Sequence, residues 1–483
     1  MTGFMAPCFL SRPSEESKQL HIDQKAPPMH SRLHSLHRFL TRLAFLSLLF
    51  PTLAQPPNFL LILTDDHGIG DVSAYRPADV RTPNIDRLAA QGMRFTRMRA
   101  NATVCSPTRA ALLTGRYPDR VGVPGVIRTQ PADSWGWFHP AITTVADHLR
   151  TAGYHTALIG KWHLGLTPPN TPNLRGFDLF HGFLGDMMDS YTLHRRHGEN
   201  YMRLNTAIIQ PEGHATDLFT RWASDHLRER ARDPGKPFFL HLAYNAPHFP
   251  IEPPADWLAR TTARLPDTPA PRLRNIAFVE HLDHSIGQLL DVLQETGLAT
   301  NTLVIFTSDN GGSLAHAQNN DPWRGGKQSH YDGGLRVPFI ARWPDHIQPG
   351  SLSSYAGLVF DVFPTFLELA GVALPADLDA VSLLPVLRGS AIDTPRDLYF
   401  VRREGGPTYG GQSYQALIRD DWKLLRNDPY SPFELYHLRD DPGETNNLAR
   451  SNPAKLRELA EALRHHTQRA GSIPWQPPAT PSK

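Results

Sequence analysis

The chain has 483 residues, of which 40% are hydrophobic and 20% charged; this suits a folded enzyme of two domains, or one large domain with an appendage. Its 49 basic and 47 acidic side chains nearly cancel, so bulk charge gives no footing for nucleic acid or another highly charged partner. The two cysteines, Cys8 and Cys105, are too few for a disulfide framework.

In chain order, Arg32, Arg38 and Arg42 precede an apolar run, Leu43–Leu53, that is too short to span a bilayer and ends in T-L-A. This predicts a secretory signal over 1–54, cleaved near Ala54, with Met29 as an alternative start, and hence a periplasmic or secreted protein. An N-terminal membrane anchor is the alternative reading. With that segment removed Cys105 stands alone, either a small buried hydrophobe or a chemical group.

Residues 58–64 (N-F-L-L-I-L-T) read as a strand buried on both faces. A helix over 83–92 follows, with Thr82 expected to cap it and Gly92 to stop it. Another helix spans 141–152, and strands 155–161 and 237–244 come next. Val279, Leu282, Ile286, Leu289, Leu290 and Leu293 mark one face of a helix ending near Gly297, and 302–310 is a further buried strand. Strands alternating with helices predict an α/β fold with a large, mostly parallel central sheet flanked by helices, over 55–390. Short strands at 398–402, 414–419 and 422–426 and a helix at 453–466 predict a small C-terminal α+β domain with an antiparallel sheet, over 391–483. The last ten residues are expected to be loose.

Ligands in such sheets bind beyond the carboxyl ends of strands. Two of the clearest strands end in Asp65–Asp66 and Asp309–Asn310. Four oxygen donors suit a hard cation such as Ca²⁺ better than Zn²⁺, although either pair alone could be a turn or helix cap. Cys105 opens C-S-P-T-R, followed by A-A-L-L-T-G-R. The motifs L-T-D-D-H-G (63–68), G-Y-H-T-A-L-I-G-K-W-H-L-G (153–165), A-P-H-F-P (246–250), S-D-N-G-G (308–312) and R-G-G-K (324–327) surround it in order. Together with F-E-L-Y-H-L-R-D-D-P-G-E-T-N-N-L (433–448), they make the chain resemble the type I sulfatases of the alkaline-phosphatase-like superfamily, over about Asn58 to Leu448. The nearest look is of arylsulfatases and N-acetylhexosamine sulfatases.

The resemblance implies hydrolysis of sulfate monoesters of carbohydrates or aryl alcohols through a covalent sulfo-enzyme intermediate. It implies that a separate maturation enzyme oxidises Cys105 to formylglycine. One Ca²⁺ is then held by Asp65, Asp66, residue 105, Asp309 and Asn310. Arg109, Lys161, His163, His248 and Lys327 match the remaining catalytic positions. A position that is often serine in the family falls by spacing on Asp186, a departure that makes the pocket less favourable to sulfate or turns it toward the sugar. Trp135, Trp137 and His139 are candidates for stacking on substrate. The rival readings are a formylglycine-dependent phosphonate or phosphate-ester hydrolase and an inactive binder of sulfated glycans.

Overall fold

The computed structural model describes residues 55–76, 79–392, 395–405 and 412–478. The predicted export segment over 1–54, with Cys8 and Met29, lies outside the described residues. Residues from Gln55 onward form one compact unit.

In chain order the strands are β1 (Asn58–Thr64), β2 (Met93–Phe95), β3 (His155–Lys161), β4 (Leu179–Phe183), β5 (Arg195–Arg196), β6 (Glu199–Asn200), β7 (Met202–Leu204), β8 (Ala207–Ile208), β9 (Phe238–Ala243), β10 (Thr302–Ser308), β11 (Phe339–Arg342) and β12 (Ser351–Ser353). Ten of them make one sheet in the order β12-β2-β11-β10-β1-β9-β3-β4-β7-β8, and β5 pairs with β6 apart from it. The central run β10-β1-β9-β3-β4 is wholly parallel, and antiparallel pairings appear only toward the flanks. The reason lies in composition. Every residue of β1, β9 and β10 is buried, so these strands need helices on both faces, and helical crossovers impose parallel order.

The Cys105–Thr114, Val145–Thr151 and Val362–Leu369 helices pack on one face, where Phe59, Leu61, Phe239 and Phe366 share a core. Ala215–Arg230 and Ala270–Glu295 cover the other, with Leu60, Ile62, Phe278 and Leu282. No helix among the described residues is long and apolar enough to cross a membrane.

A second sheet, β13 (Asp397–Glu404), β14 (Gln412–Arg419), β15 (Trp422–Arg426) and β16 (Glu434–His437), is antiparallel throughout. The Pro453–Arg469 helix lays Leu459 and Leu463 on it. A sealed ionic cluster joins this sheet to the rest. Asp332 accepts from Arg99 at 3.1 and 2.6 Å, from Arg336 at 2.8 Å and from Lys423 of β15 at 2.9 Å, and Lys423 also meets Glu444 at 2.8 Å.

Three expectations are corrected. Thr82 precedes the Pro83–Ala90 helix but places no side-chain bond on its amides; Asp283, from the long helix opposite, accepts from Asn84 N at 3.1 Å and Ile85 N at 2.8 Å instead. Gly92 is required by contact rather than by a helix stop, because a Cβ there would lie 2.2 Å from the carbonyl oxygen of Ala341. The tail is anchored at least to Gln476, whose side-chain amide donates to Ser134 O at 2.9 Å while the Trp475 ring lies under Arg403.

Candidate active site

Register puts the motifs together. Thr64 pairs with Ser308, Leu63 with Ala243, and Gly160 with Ala243, so β1, β9, β10 and β3 all end at one edge. Asp65–Asp66, Asp309–Asn310, Asn245–His248 and Lys161–His163 therefore leave the sheet side by side. The loops are tied across it, Asp309 N to Thr64 O at 3.1 Å and Asp65 N to Ala246 O at 3.2 Å. Lys327 arrives from farther away, fixed by Lys327 N to Gly312 O at 2.9 Å. Asp66 and His163 both hold left-handed backbone, at φ 59° and 60°, which costs an L-residue about 1–2 kcal/mol and marks a constrained site.

Cys105 is the first residue of its helix, and its Sγ lies 3.3 Å from Asp65 Oδ1. Burial, reinforced by the Asp65 carboxylate, pushes the thiol well above its ordinary pKa. The helix N-terminus therefore does not make it a thiolate, as a nucleophilic cysteine requires. Lys161 Nζ makes a very short contact with Asp65 Oδ2. Arg109 reaches Asp309 Oδ2 through Nε at 3.0 Å and Nη2 at 2.7 Å. Lys327 Nζ donates to Asp66 Oδ2 at 2.7 Å and to His248 Nε2 at 2.9 Å. Burial alone would raise Asp65, but Lys161, His248, Arg109 and Lys327 together outweigh it and hold the carboxyl well below its usual range.

The histidines differ in where their protons are fixed. His248 Nδ1 donates to Phe249 O at 2.6 Å, which leaves Nε2 as the acceptor for Lys327; burial and that ammonium lower its pKa to about 4. His163 Nε2 donates to Ile127 O at 2.7 Å, leaving Nδ1 with a lone pair and no partner. Burial, then Lys161 and Arg109, hold His163 well below 6.5, so it is neutral at neutral pH.

Asp65, Asp66, Cys105 and His248 form a group whose ligand-capable atoms lie within 4.8 Å of one another, a possible metal site. Asp309 touches it through Asp66 N at 3.2 Å. Asn310 donates to Asp66 Oδ1 at 2.7 Å, and its own buried Oδ1 has no partner. His248 in this group is the difference from the expected ligand set: its Nε2 lies 3.5 Å from Asp66 Oδ2, at the position where Lys327 also contacts that acid.

A cleft of about 260 Å³ opens above Cys105, and its walls include Asp66, His163, His248 and Lys327. Asp186 lines it too, whereas Trp135, Trp137 and His139 do not. The Trp137 and His139 rings pack edge to face, and Trp135 lies against Gly405. Several walls had no motif to announce them: Arg128, Arg196, His316 and Arg402. Tyr191 also carried no signal, yet its hydroxyl donates to His248 O at 2.9 Å. An adjacent acid or aromatic in sequence would have flagged none of these, because each depends on long-range folding.

A buried clamp of cations beside strand-end carboxylates suits an ester that itself carries negative charge. The family model described as Sulfatase matches residues 57–372, and one described as N-sulphoglucosamine sulphohydrolase, C-terminal, matches 325–470. N-acetylgalactosamine-6-sulfatase of Rattus norvegicus is 36% identical over 448 residues, covering 83% of each chain. Steryl-sulfatase of Mus musculus is 32% identical, covering 87% of this chain and 84% of that one. The solved structure of Ps i-CgsB in complex with k-i-k-neocarrahexaose superposes with a TM-score of 0.80 at 30% identity, covering 87% of this chain and 95% of that one. The chain belongs to the sulfatase family and is a hydrolase of sulfate esters.

Proposed function

We propose that this protein removes sulfate from sulfated carbohydrates, with a formylglycine made from Cys105 by a maturation enzyme as its nucleophile and one Ca²⁺ as its metal. The observation that carries the reading is Cys105 itself. It opens its helix, lines the cleft and lies 3.3 Å from Asp65 Oδ1, the acid that Lys161 and Arg109 also meet. Relatives named for N-acetylgalactosamine 6-sulfate, and the structure bound to neocarrahexaose, support a sugar substrate.

The donor set fits a cation. Asp65, Asp66 and Asp309 gather their carboxylates at one point, each paired with Lys161, Lys327 or Arg109. The orphaned Oδ1 of Asn310 is an unused oxygen donor in the same cluster. Asp65, Asp66, residue 105, Asp309 and Asn310 would hold Ca²⁺, which prefers such oxygen-rich, irregular sites. When bound, the ion supplies charge for the sulfate oxygens and polarises the attacking hydroxyl. Hydrated formylglycine supplies two hydroxyls on one carbon, one to attack sulfur and one that can later lose its proton.

The chain's own groups divide the proton work. Lys327 Nζ, already bonded to His248 Nε2, is the donor for the departing alcohol oxygen. His163 Nδ1, neutral and unpartnered, takes the proton whose loss expels sulfate. Arg109 and Lys161 hold the acidic cluster in place and add positive potential. The decisive experiment compares matured protein on matched aryl sulfate and aryl phosphate esters and on defined sulfated sugars. Sulfate release at rates well above phosphate release is expected. A phosphate preference, or full activity with Cys105 unmodified, overturns the reading.

A further inference from the structure

We propose that Asp186 is a specificity residue, one that accepts a hydrogen bond from a free hydroxyl of the sugar bearing the scissile sulfate. This rests on the function proposed above and narrows its substrate class.

Strand pairing fixes where Asp186 lies. Lys161 is beside Phe183 in the parallel register of β3 and β4, and His163 N donates to Leu184 O at 3.2 Å. The chain then runs through Gly185 to Asp186, which puts this carboxyl on the same rim as His163, lining the cleft above Cys105. Its side chain is 8% exposed. One oxygen is fully occupied: Oδ1 accepts from Arg196 Nε at 3.0 Å and from Met187 N at 2.8 Å. The other, Oδ2, makes no hydrogen bond among the described residues, yet it belongs to a side chain that forms the cleft wall.

That oxygen is open to the cleft, where a bound ligand can donate to its unused lone pairs. The donor cannot come from the sulfate, which has none and is repelled by a carboxylate. Arg196 reduces that repulsion and fixes the carboxyl's orientation, although Arg196 also meets Asp189 at 2.9 Å, so the pair adds no positive charge to attract an anion. An acid in a cleft made for an anion is therefore matched to a neutral donor close to the ester. Sugars carry free hydroxyls near the sulfated position, such as the 4-hydroxyl close to a 6-sulfate, whereas a simple aryl sulfate carries none.

The test measures kcat/KM for the wild type, D186N and D186A, each matured and checked for folding by thermal melting. The probes are galactose and N-acetylgalactosamine monosulfates, their monodeoxy derivatives, and 4-methylumbelliferyl sulfate. D186A is expected to lose about 10- to 100-fold on the best sugar sulfate, the scale of one charged hydrogen bond, and to stay within about threefold on the aryl ester. D186N is expected to lose the acceptor as well, because its single amide oxygen stays with Arg196 and Met187 N and its NH2 faces the sugar. One monodeoxy sugar reproduces the loss in the wild type and causes no additional loss in D186A. Equal losses on sugar and aryl esters, or no loss on the sugars, overturn the assignment of Asp186. A wild type that releases sulfate from neither class instead overturns the sulfatase reading beneath it.

Discussion

Two buried ionic clusters of this protein are built from the same residue types and do opposite things. Around Asp332 the charged groups answer one another away from the cleft above Cys105. The acid meets Arg99, Arg336 and Lys423, its backbone amide donates to Glu444 Oε2 at 2.6 Å, and Arg99, Asp332 and Lys423 have no exposed side-chain surface. Burial alone would raise Asp332, but Arg99, Lys423 and Arg336 together outweigh it and hold it well below its usual range. Around Asp65 and Asp66 the charges also pair, but valences are left open: His163 Nδ1 and Asn310 Oδ1 have no partners, and the cluster faces a cleft. Burial and charge do not identify a site by themselves. Unused donors and acceptors beside an open space do.

The largest test of this contrast is at the open cluster. Replacing Cys105 with Ala should lower sulfate release by about 10⁴-fold or more, since it removes the nucleophile's precursor, with little change in melting temperature. Retained activity would remove Cys105 from the chemistry. At the closed cluster the effect should fall on stability. D332N keeps the shape and removes the charge that compensates Arg99, Arg336 and Lys423, and should cost about 3–5 kcal/mol in urea unfolding. A cost under about 1 kcal/mol, as for a surface pair, would mean that the cluster is not a staple.

His163→Ala should lower kcat by about 10²–10⁴-fold, the usual weight of a general base, with KM nearly unchanged. Because His163 titrates well below 6.5, the acid limb of kcat attributable to it should fall below pH 6.5, as protonation of Nδ1 removes the base. A normal kcat in His163→Ala would assign the proton elsewhere. The smallest effect concerns a histidine outside both clusters. His226 is buried with both ring nitrogens unpartnered, and burial lowers its pKa to about 3. Below pH 6.5 the unfolded chain takes up a proton that the folded one refuses, so stability falls as pH drops from 6.5 toward 3. His226→Phe should flatten that slope by about 1.4 kcal/mol per pH unit, measured by denaturation at several pH values. An unchanged slope would show that His226 is protonated in the fold.

The legible parts of the sequence were those with local causes. β1 and β10 are unbroken apolar runs that end in acids, so strand, burial and site position could be read together. β4 was missed because L-F-H-G-F is short and carries a histidine and a glycine, and its strand form depends on pairing with β3. The Ala215–Arg230 helix was hidden by its many charged residues, of which Arg221, Asp225, Arg228 and Glu229 are exposed while Leu218, Phe219 and Leu227 are buried. The motif residues around Cys105 were all visible in order, and the fold brings them to one edge. Arg196 could not be placed beside Asp186 without the small β5–β6 hairpin, and Arg402 reaches the cleft from a different sheet.

Arg402 has a temporal meaning as well. It lies on β13, and Lys423, which staples that sheet to the Asp332 cluster, lies on β15. Both are synthesised after every strand of the catalytic sheet. A nascent chain that has already made Cys105, Lys161, His248 and Lys327 still lacks one wall of its cleft and the cation that locks that wall in place. Completion of the cleft thus waits until β13 and β15 have been made.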